Sequence, residues 1–209
     1  MTIDRAGYAF IGGTAALAIA AALTVGSAGA VPLFLLAGFF LFFFRDPDRV
    51  SPQDPALVLS PADGRVLVAG PADATAAPPG EWTQVSIFLS PMDVHVNRTP
   101  VSGRVTKVDF RKGKFLPAYH RDAASANERS EVWVNHAGRT VVFRQIVGIL
   151  ARRVVCRVQP GTELESGDRV GIMKFGSRMD VFLPPTADLK VKAGDKVIGG
   201  VTVIAVLRP

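Results

Sequence analysis

Residues 6–44 contain no Asp, Glu, Lys or Arg. No other feature restricts the fold as much, because such a run has to be shielded from water. One bilayer crossing takes about 20 apolar residues, so the run is too long for one helix and about right for two. The small-residue stretch Gly26–Ala30 breaks it, and Pro32 follows. The pattern predicts two short hydrophobic helices, Gly7–Val25 and Val31–Phe44, forming a helical hairpin within a membrane anchor over 1–45. A cleaved signal peptide fits less well, since the stretch is long and no clear cleavage site precedes a soluble start. A shallow re-entrant hairpin stays open, because the second segment is short. A hairpin puts Arg5 on the same side as Arg45 and Arg49, with Asp4, Asp46 and Asp48 beside them. The positive-inside tendency makes that side cytoplasmic. The expected location is the cell membrane, with the rest of the chain in the cytoplasm.

Residues 46–209 leave room for one ordinary domain with a real core. Their texture is short alternating or β-branched runs cut by Gly and Pro. Strands are expected at 82–90, 103–110, 131–146, 152–158, 168–175 and 197–207, with "NHAG" (135–138) as a hairpin loop. No long amphipathic helix follows residue 45. Two internal echoes stand out: "PADGRV" (61–66) with "PVSGRV" (100–105), and "LESGDRVG" (164–171) with "VKAGDKVIG" (191–199). In the second pair Gly supplies a permissive backbone and Asp bonds its own main chain. A turn, then G-D-x-V, then a strand is the texture of lipoyl- and biotinyl-carrier sandwiches. The expected fold is therefore mainly β, a lipoyl/biotinyl-like barrel-sandwich of two related halves behind a hydrophobic α-helical hairpin.

Cys156 is the only cysteine, so no intramolecular disulfide can form, and three scattered histidines do not have metal-ligand spacing. The net charge is +6, and the window Arg98–Arg121 alone holds seven basic residues against Asp109. Such a run is either a solvated loop or a patch facing anionic lipid or phosphate. Nucleic acid is not indicated, because aromatics are not interleaved as stacking platforms.

Gly176-Ser177 sits between two strand-like runs in "GIMKFGSRMDVFLP" (171–184). A serine hydroxyl can attack the carbonyl before it, turning the peptide into an ester. Glycine at the acyl position removes obstruction and tolerates a strained backbone. The attack needs a base, and the base an orienting partner. His95, between Val94 and Val96, and Asp63, in "SPADGRV", supply both residue types. Each also has a plainer reading: Asp-Gly is common turn chemistry, and a lone strand histidine is as often a packed, hydrogen-bonded residue. His120 and His136 lie in loop-like contexts and are weaker candidates.

Taken together, "SPADGRV", "MDVHVNRTPVSG", "ANERS" and "KFGSRMDVFLP" resemble the phosphatidylserine decarboxylase family in its short, membrane-anchored form. The motifs span 58–184 in the family's order. The resemblance implies a pyruvoyl-dependent enzyme made by self-cleavage between Gly176 and Ser177. A β chain (1–176) and an α chain (177–209) would stay associated, with Ser177 becoming the pyruvoyl cofactor. His95 would be the base for the Ser177 hydroxyl, and Asp63 would orient His95. The pyruvoyl would take the substrate's serine amine as a Schiff base and release carbon dioxide, converting phosphatidylserine to phosphatidylethanolamine. No metal or diffusible cofactor is implied, and the oligomeric state stays open. An apolar setting for the site is expected from Phe175 and Phe182. Lys112, Lys114, Phe115, Leu116 and Tyr119 could meet the bilayer and the lipid phosphate.

Two positions depart from the family pattern. Arg178 stands where a Gly-Ser-Thr type motif has Thr, and Met92 stands where longer members carry a second histidine. Other readings are a membrane-anchored lipoyl-like adaptor or carrier without catalysis, and a serine hydrolase. The chain lacks an adaptor's coiled-coil hairpin, a clear modifiable lysine at a carrier turn, and the G-x-S-x-G elbow of common hydrolases.

Overall fold

The computed structural model describes residues 1–149 and 153–208, so Arg152 of the strand expected over 152–158 lies outside the described residues. The chain divides into two compact units, Met1–Asp48 and Arg49–Pro209.

The first unit is a helical hairpin. Strand β1 (Thr2–Ile3) pairs antiparallel with β2 (Arg45–Asp46), bringing the two ends together. Helix α1 (Tyr8–Thr24) and helix α2 (Ser27–Phe43) lie between them. The turn is confined to Val25–Gly26, where Gly26 takes φ +92°. The small-residue run and Pro32 are therefore inside α2 rather than in a loop. Pro32 forfeits a single ladder bond, and an apolar run offers the neighbouring main-chain groups no partner but the helix itself. Phe10 of α1 packs on Phe40 and Phe44, ring centroids 5.4 and 5.5 Å apart. Outward-facing Leu17, Leu23 and Leu35 are exposed. The apolar helical stretch Arg5–Thr24 is long enough to cross a membrane; Ser27–Phe43 is shorter.

The second unit is almost entirely antiparallel β structure. Its strands are β3 (Leu57–Leu59), β4 (Gly64–Pro71), β5 (Thr83–Leu89), β6 (Val96–Arg98), β7 (Gly103–Arg111), β8 (Arg129–His136), β9 (Arg139–Val147), β10 (Val154–Cys156), β11 (Glu163–Leu164), β12 (Arg169–Met173), β13 (Ser177–Leu183), β14 (Asp188–Leu189), β15 (Lys196–Val197) and β16 (Val203–Val206). A four-residue helix, α3 (Ala123–Ala126), precedes β8. Eight strands form one sheet in the order β11-β7-β8-β9-β13-β5-β4-β15, and two three-stranded sheets, β10-β12-β6 and β14-β16-β3, accompany it. Val85, Ile87, Val132, Phe143, Met179 and Val181 belong to a single core cluster with residues from both smaller sheets. The β8–β9 hairpin turns on Ala137 and Gly138, both at positive φ, and the Asn135 side chain accepts from the Gly138 amide. Two left-handed turn residues match the twist of the flanking strands.

The sequence echoes correspond to repeated local structure. In the Gly167-Asp168 turn the Glu165 amide donates to the Asp168 carboxylate at 2.9 Å; in the Gly194-Asp195 turn Lys192 and Asp195 do the same at 2.9 Å. Ser60 Oγ donates to the Ala62 carbonyl, and Thr99 Oγ1 donates to the Val101 carbonyl. Leu59 and Arg98 donate to Pro100 and Pro61 respectively, so each copy clasps the other. Strand β4 then pairs with β15 as β7 pairs with β11.

Candidate active site

Strand β13 is central, between β9 and β5, and every residue along it is buried. Period-two alternation puts Ser177, Met179, Val181 and Leu183 on the core face and Arg178, Asp180 and Phe182 on the other. Ser177 opens the strand, paired with Leu89 on one side and Val147 on the other. Its hydroxyl oxygen is buried and has no hydrogen-bond partner among the described residues. Leaving such a group unpaired costs about 1–3 kcal/mol.

The chain enters Ser177 through two successive left-handed residues, Phe175 at φ +65° and Gly176 at φ +74°. Gly176 adopts this freely. Phe175 does so at a cost of about 1–3 kcal/mol. Strain is thus concentrated immediately before the Gly176–Ser177 bond.

His95 is fully buried. Its Nδ1 lies 2.9 Å from the Asp93 carbonyl oxygen, which can only accept, so the proton sits on Nδ1. Nε2 is left as an acceptor, and the Gly176 amide donates to it at 3.3 Å. The structure therefore brings the histidine to Gly176, with Nε2 against the amide that precedes the Gly-Ser bond and not hydrogen-bonded to the Ser177 hydroxyl. The group seen holding the ring is a main-chain carbonyl. The Asp63 carboxylate is taken up elsewhere: it accepts from Arg49 at 2.6 and 2.8 Å and from the Gly199 amide at 2.8 Å. Arg49 lies upstream in sequence, and its guanidinium meets both carboxylate oxygens, a geometry a histidine cannot match.

Asp63 also lines a cavity of about 750 Å³, together with Phe88, Ser90, Met92, Asp93 and Lys196. Phe88 and Ser90 flank Leu89, the β5 partner of Ser177. Met92 is exposed on this wall of the cavity.

Phe182 does not furnish the apolar setting expected of it. It is an odd number of residues from Ser177, so it points to the opposite face, where the Arg144 guanidinium stacks over it at 4.8 Å. That face also holds a buried polar network. Arg178 Nε donates to Asp180 at 2.6 Å and its Nη2 to Ser86 Oγ at 2.9 Å. Arg178 is thus a structural cation under the sheet.

Among the basic-window residues, Lys112, Lys114, Phe115 and Tyr119 are exposed and Leu116 is half-buried. The Tyr119 ring meets Phe88 edge-on at 5.7 Å, which connects this loop to the cavity wall. Arg98, by contrast, is buried and donates to the Gly167 carbonyl. His136 has its ring nitrogens 2.7 Å from the Ser102 and Pro55 carbonyl oxygens and His120 is an exposed loop residue; neither joins Ser177. A residue passed over in the sequence is Asn127 of "ANERS". Fully buried, it accepts from the Leu116 amide and donates to the Leu116 and Val147 carbonyls. It ties the basic loop to the strand end that pairs with Ser177.

The family model for phosphatidylserine decarboxylase matches residues 36–205. Proteins named phosphatidylserine decarboxylase proenzyme are similar along most of the chain. The one from Solibacter usitatus is 45% identical, covering 91% of this chain and 91% of its own length. The one from Symbiobacterium thermophilum is 42% identical, covering 97% and 94%, and that from Desulfotalea psychrophila 39%, covering 97% and 95%.

Proposed function

The chain belongs to the phosphatidylserine decarboxylase family, and on that premise we propose that it cuts itself between Gly176 and Ser177 and then decarboxylates phosphatidylserine to phosphatidylethanolamine. The observation that carries the reading is the join itself. A buried hydroxyl without a partner follows two left-handed residues, with a histidine acceptor nitrogen 3.3 Å from the Gly176 amide.

The chain's own residues account for maturation. His95 Nε2 takes the proton of the Ser177 hydroxyl while Oγ attacks the Gly176 carbonyl carbon. The C–N bond breaks, the amine receives the proton, and residues 176 and 177 are joined by an ester. Loss of the Ser177 α-proton expels the Gly176 carboxylate and leaves dehydroalanine, which water converts to a ketone and ammonia. The Asp93 carbonyl keeps Nδ1 protonated throughout, so Nε2 is always the working atom. Asp63 would add a carboxylate to the cavity wall on the side of Asp93, with Arg49 holding both its oxygens in the uncut chain.

Ser177 suits the pyruvoyl group, since its side chain has no competing hydrogen bond among the described residues and its strand is buried. When formed, the group supplies an electron sink for the pair released as the substrate loses its carboxylate. The cavity beside Leu89 would seat the serine headgroup, and Lys196 and Arg65 on its wall suit an anionic phosphate. Lys112, Lys114, Phe115, Leu116 and Tyr119 would face the bilayer. The hairpin would anchor the enzyme, with the β unit on the cytoplasmic side where positive flanks favour it. The duplicated turns and strand pairs support a barrel-sandwich fold of the lipoyl type.

Intact-mass measurement of freshly purified protein tests the reading. Two associated chains, 1–176 and 177–209, are expected, the smaller lacking a free amine. Ser177→Ala should remain a single chain and release no carbon dioxide from phosphatidylserine. His95→Gln should slow cutting by about 100-fold or more, the usual worth of a positioned base. Active wild-type protein with an intact 176–177 bond would refute the proposal, as would an active Ser177→Ala chain.

A further inference from the structure

The oxygen of the carbonyl that Ser177 attacks takes on negative charge as the carbon becomes tetrahedral, and His95 serves the proton, not the oxygen. The opposite strand offers the missing donor. Val147, the β9 partner of Ser177, directs both main-chain groups away from β13: its amide donates to the Glu128 carbonyl, and its carbonyl accepts from Asn127. In an antiparallel ladder such a pair is flanked by bonds made one residue to either side. The Ser177–Val147 register therefore sets Gly148 opposite Gly176 at the next position of the ladder, on the side to which the 147–148 peptide turns its N–H, although the two make no main-chain hydrogen bond in the uncut chain.

A second observation agrees. A Cβ placed on Gly148 would lie 2.4 Å from the Gly176 oxygen and 3.3 Å from the Ala118 Cβ. The scissile carbonyl is seated directly against Gly148, in space that only glycine leaves free. Gly148 is buried, so water does not compete for this oxygen.

Building on the self-cleavage proposed above, we infer that Gly148 is a catalytic residue of that step, its main-chain N–H serving as the oxyanion donor for the Gly176 carbonyl. As the Ser177 Oγ–C bond forms, the carbonyl π pair moves onto oxygen and is held by the Gly148 N–H. When the pair returns, the C–N bond breaks and the amine takes the proton from His95. Asn127 supports the donor from behind by fixing the Val147 carbonyl, which keeps the 148 amide turned toward β13. Removing one donor from a preorganised oxyanion site typically costs about 10²–10³ in rate.

The test follows self-cleavage of the full chain, synthesised in the presence of detergent micelles, by time-resolved gel and mass analysis. Replacing Gly148 with glycolic acid by nonsense suppression deletes the N–H, adds no atom beyond the backbone and puts an ester at 147–148. A matching ester at Val142, which pairs with Phe182 further along β9, removes a comparable ladder donor away from the reacting bond. Gly148→Ala adds the Cβ and keeps the N–H. The expected result is cutting slowed at least about 100-fold by the 148 ester and near wild-type cutting with the 142 ester. Hydroxylamine should trap less ester at Gly176 in the 148 variant, since the slowed step precedes the ester. Gly148→Ala should also stay largely uncut while keeping its β circular dichroism. Cutting of the 148 ester within a few-fold of wild type would overturn the inference, and so would equal slowing by both esters. A wild-type chain that is never cut would instead sink the self-cleavage reading, and this inference with it.

Discussion

Replacing Asn127 with Ala should damage stability and maturation together, by amounts that can be worked from its contacts. Its side chain makes three main-chain hydrogen bonds: from the Leu116 amide at 2.9 Å, and to the Leu116 and Val147 carbonyls at 2.8 Å each. At about 1 kcal/mol net per bond the loss is about 3 kcal/mol. The Val147 carbonyl is buried and stays unpaired, which adds about 1 kcal/mol or more; the half-buried Leu116 groups can recruit water and add less. The expected total is about 4 kcal/mol. With an unfolding slope near 2 kcal/mol per molar urea, the midpoint should fall by about 2 M. The measurement suits the Ser177→Ala background, where a single chain unfolds, in the full protein in micelles. The same substitution in the cleavable chain should slow cutting, because Val147 holds the strand end opposite Ser177. A midpoint change below about 0.5 M would refute the bookkeeping. Unchanged cutting despite a large loss of stability would separate Asn127 from the site.

Asp180→Asn leaves the buried Arg178 guanidinium without its anion, so a loss of about 3–5 kcal/mol is expected by denaturation, whereas Arg178→Met combined with Asp180→Leu should recover most of it. Asp63→Asn and Arg49→Met both dissolve the same ion pair, but only the first removes a negative charge; slower cutting and a shifted pH profile of self-cleavage are expected for Asp63→Asn alone. Equal slowing by the two would assign Asp63 a structural role. Burial pushes the Cys156 thiol up, so alkylation of the folded chain at pH 8 should be at least about ten times slower than that of an exposed thiol. The folded state holds this proton more tightly than the unfolded one, so stability should fall as pH rises above about 8.5, the unfolded thiol value, and level off beyond the folded value. Titrated denaturation of Cys156→Ala should lack that slope.

Patterns set by side chains were legible in the sequence; choices made by the main chain were not. The β8–β9 hairpin could be read because alternation and a turn-forming Asn-His-Ala-Gly act locally. The two Gly-Asp turns could be read for the same reason, and each closes with the same Asp-to-amide bond. Helix α2 starts at Ser27, earlier than Gly and Pro with their aqueous meaning would place it. In an apolar run a break exposes main-chain groups with nothing to bond, so the helix continues through Pro32. Phe182 is near Ser177 in sequence, but period two puts it on the opposite face of the strand.

At the site, residue types announced Ser177, His95 and Asp63, but not how each is held. The Asp93 carbonyl at His95 and the close approach of Gly148 to the Gly176 carbonyl belong to the backbone, which every residue carries. No composition or spacing rule can single them out. The bidentate Arg49–Asp63 pair is a competition between acceptors that only the folded geometry decides. A self-processing site has particular reason to rely on such groups. The substrate of the first reaction is the chain itself, already placed by its strand register, so positioning needs no dedicated binding residues. What the sequence must supply is a nucleophile, a base, and glycines where the main chain comes too close for a Cβ. Gly148 meets that requirement against the Gly176 carbonyl, whereas Gly176 is needed for its left-handed φ, with open space where a Cβ would stand.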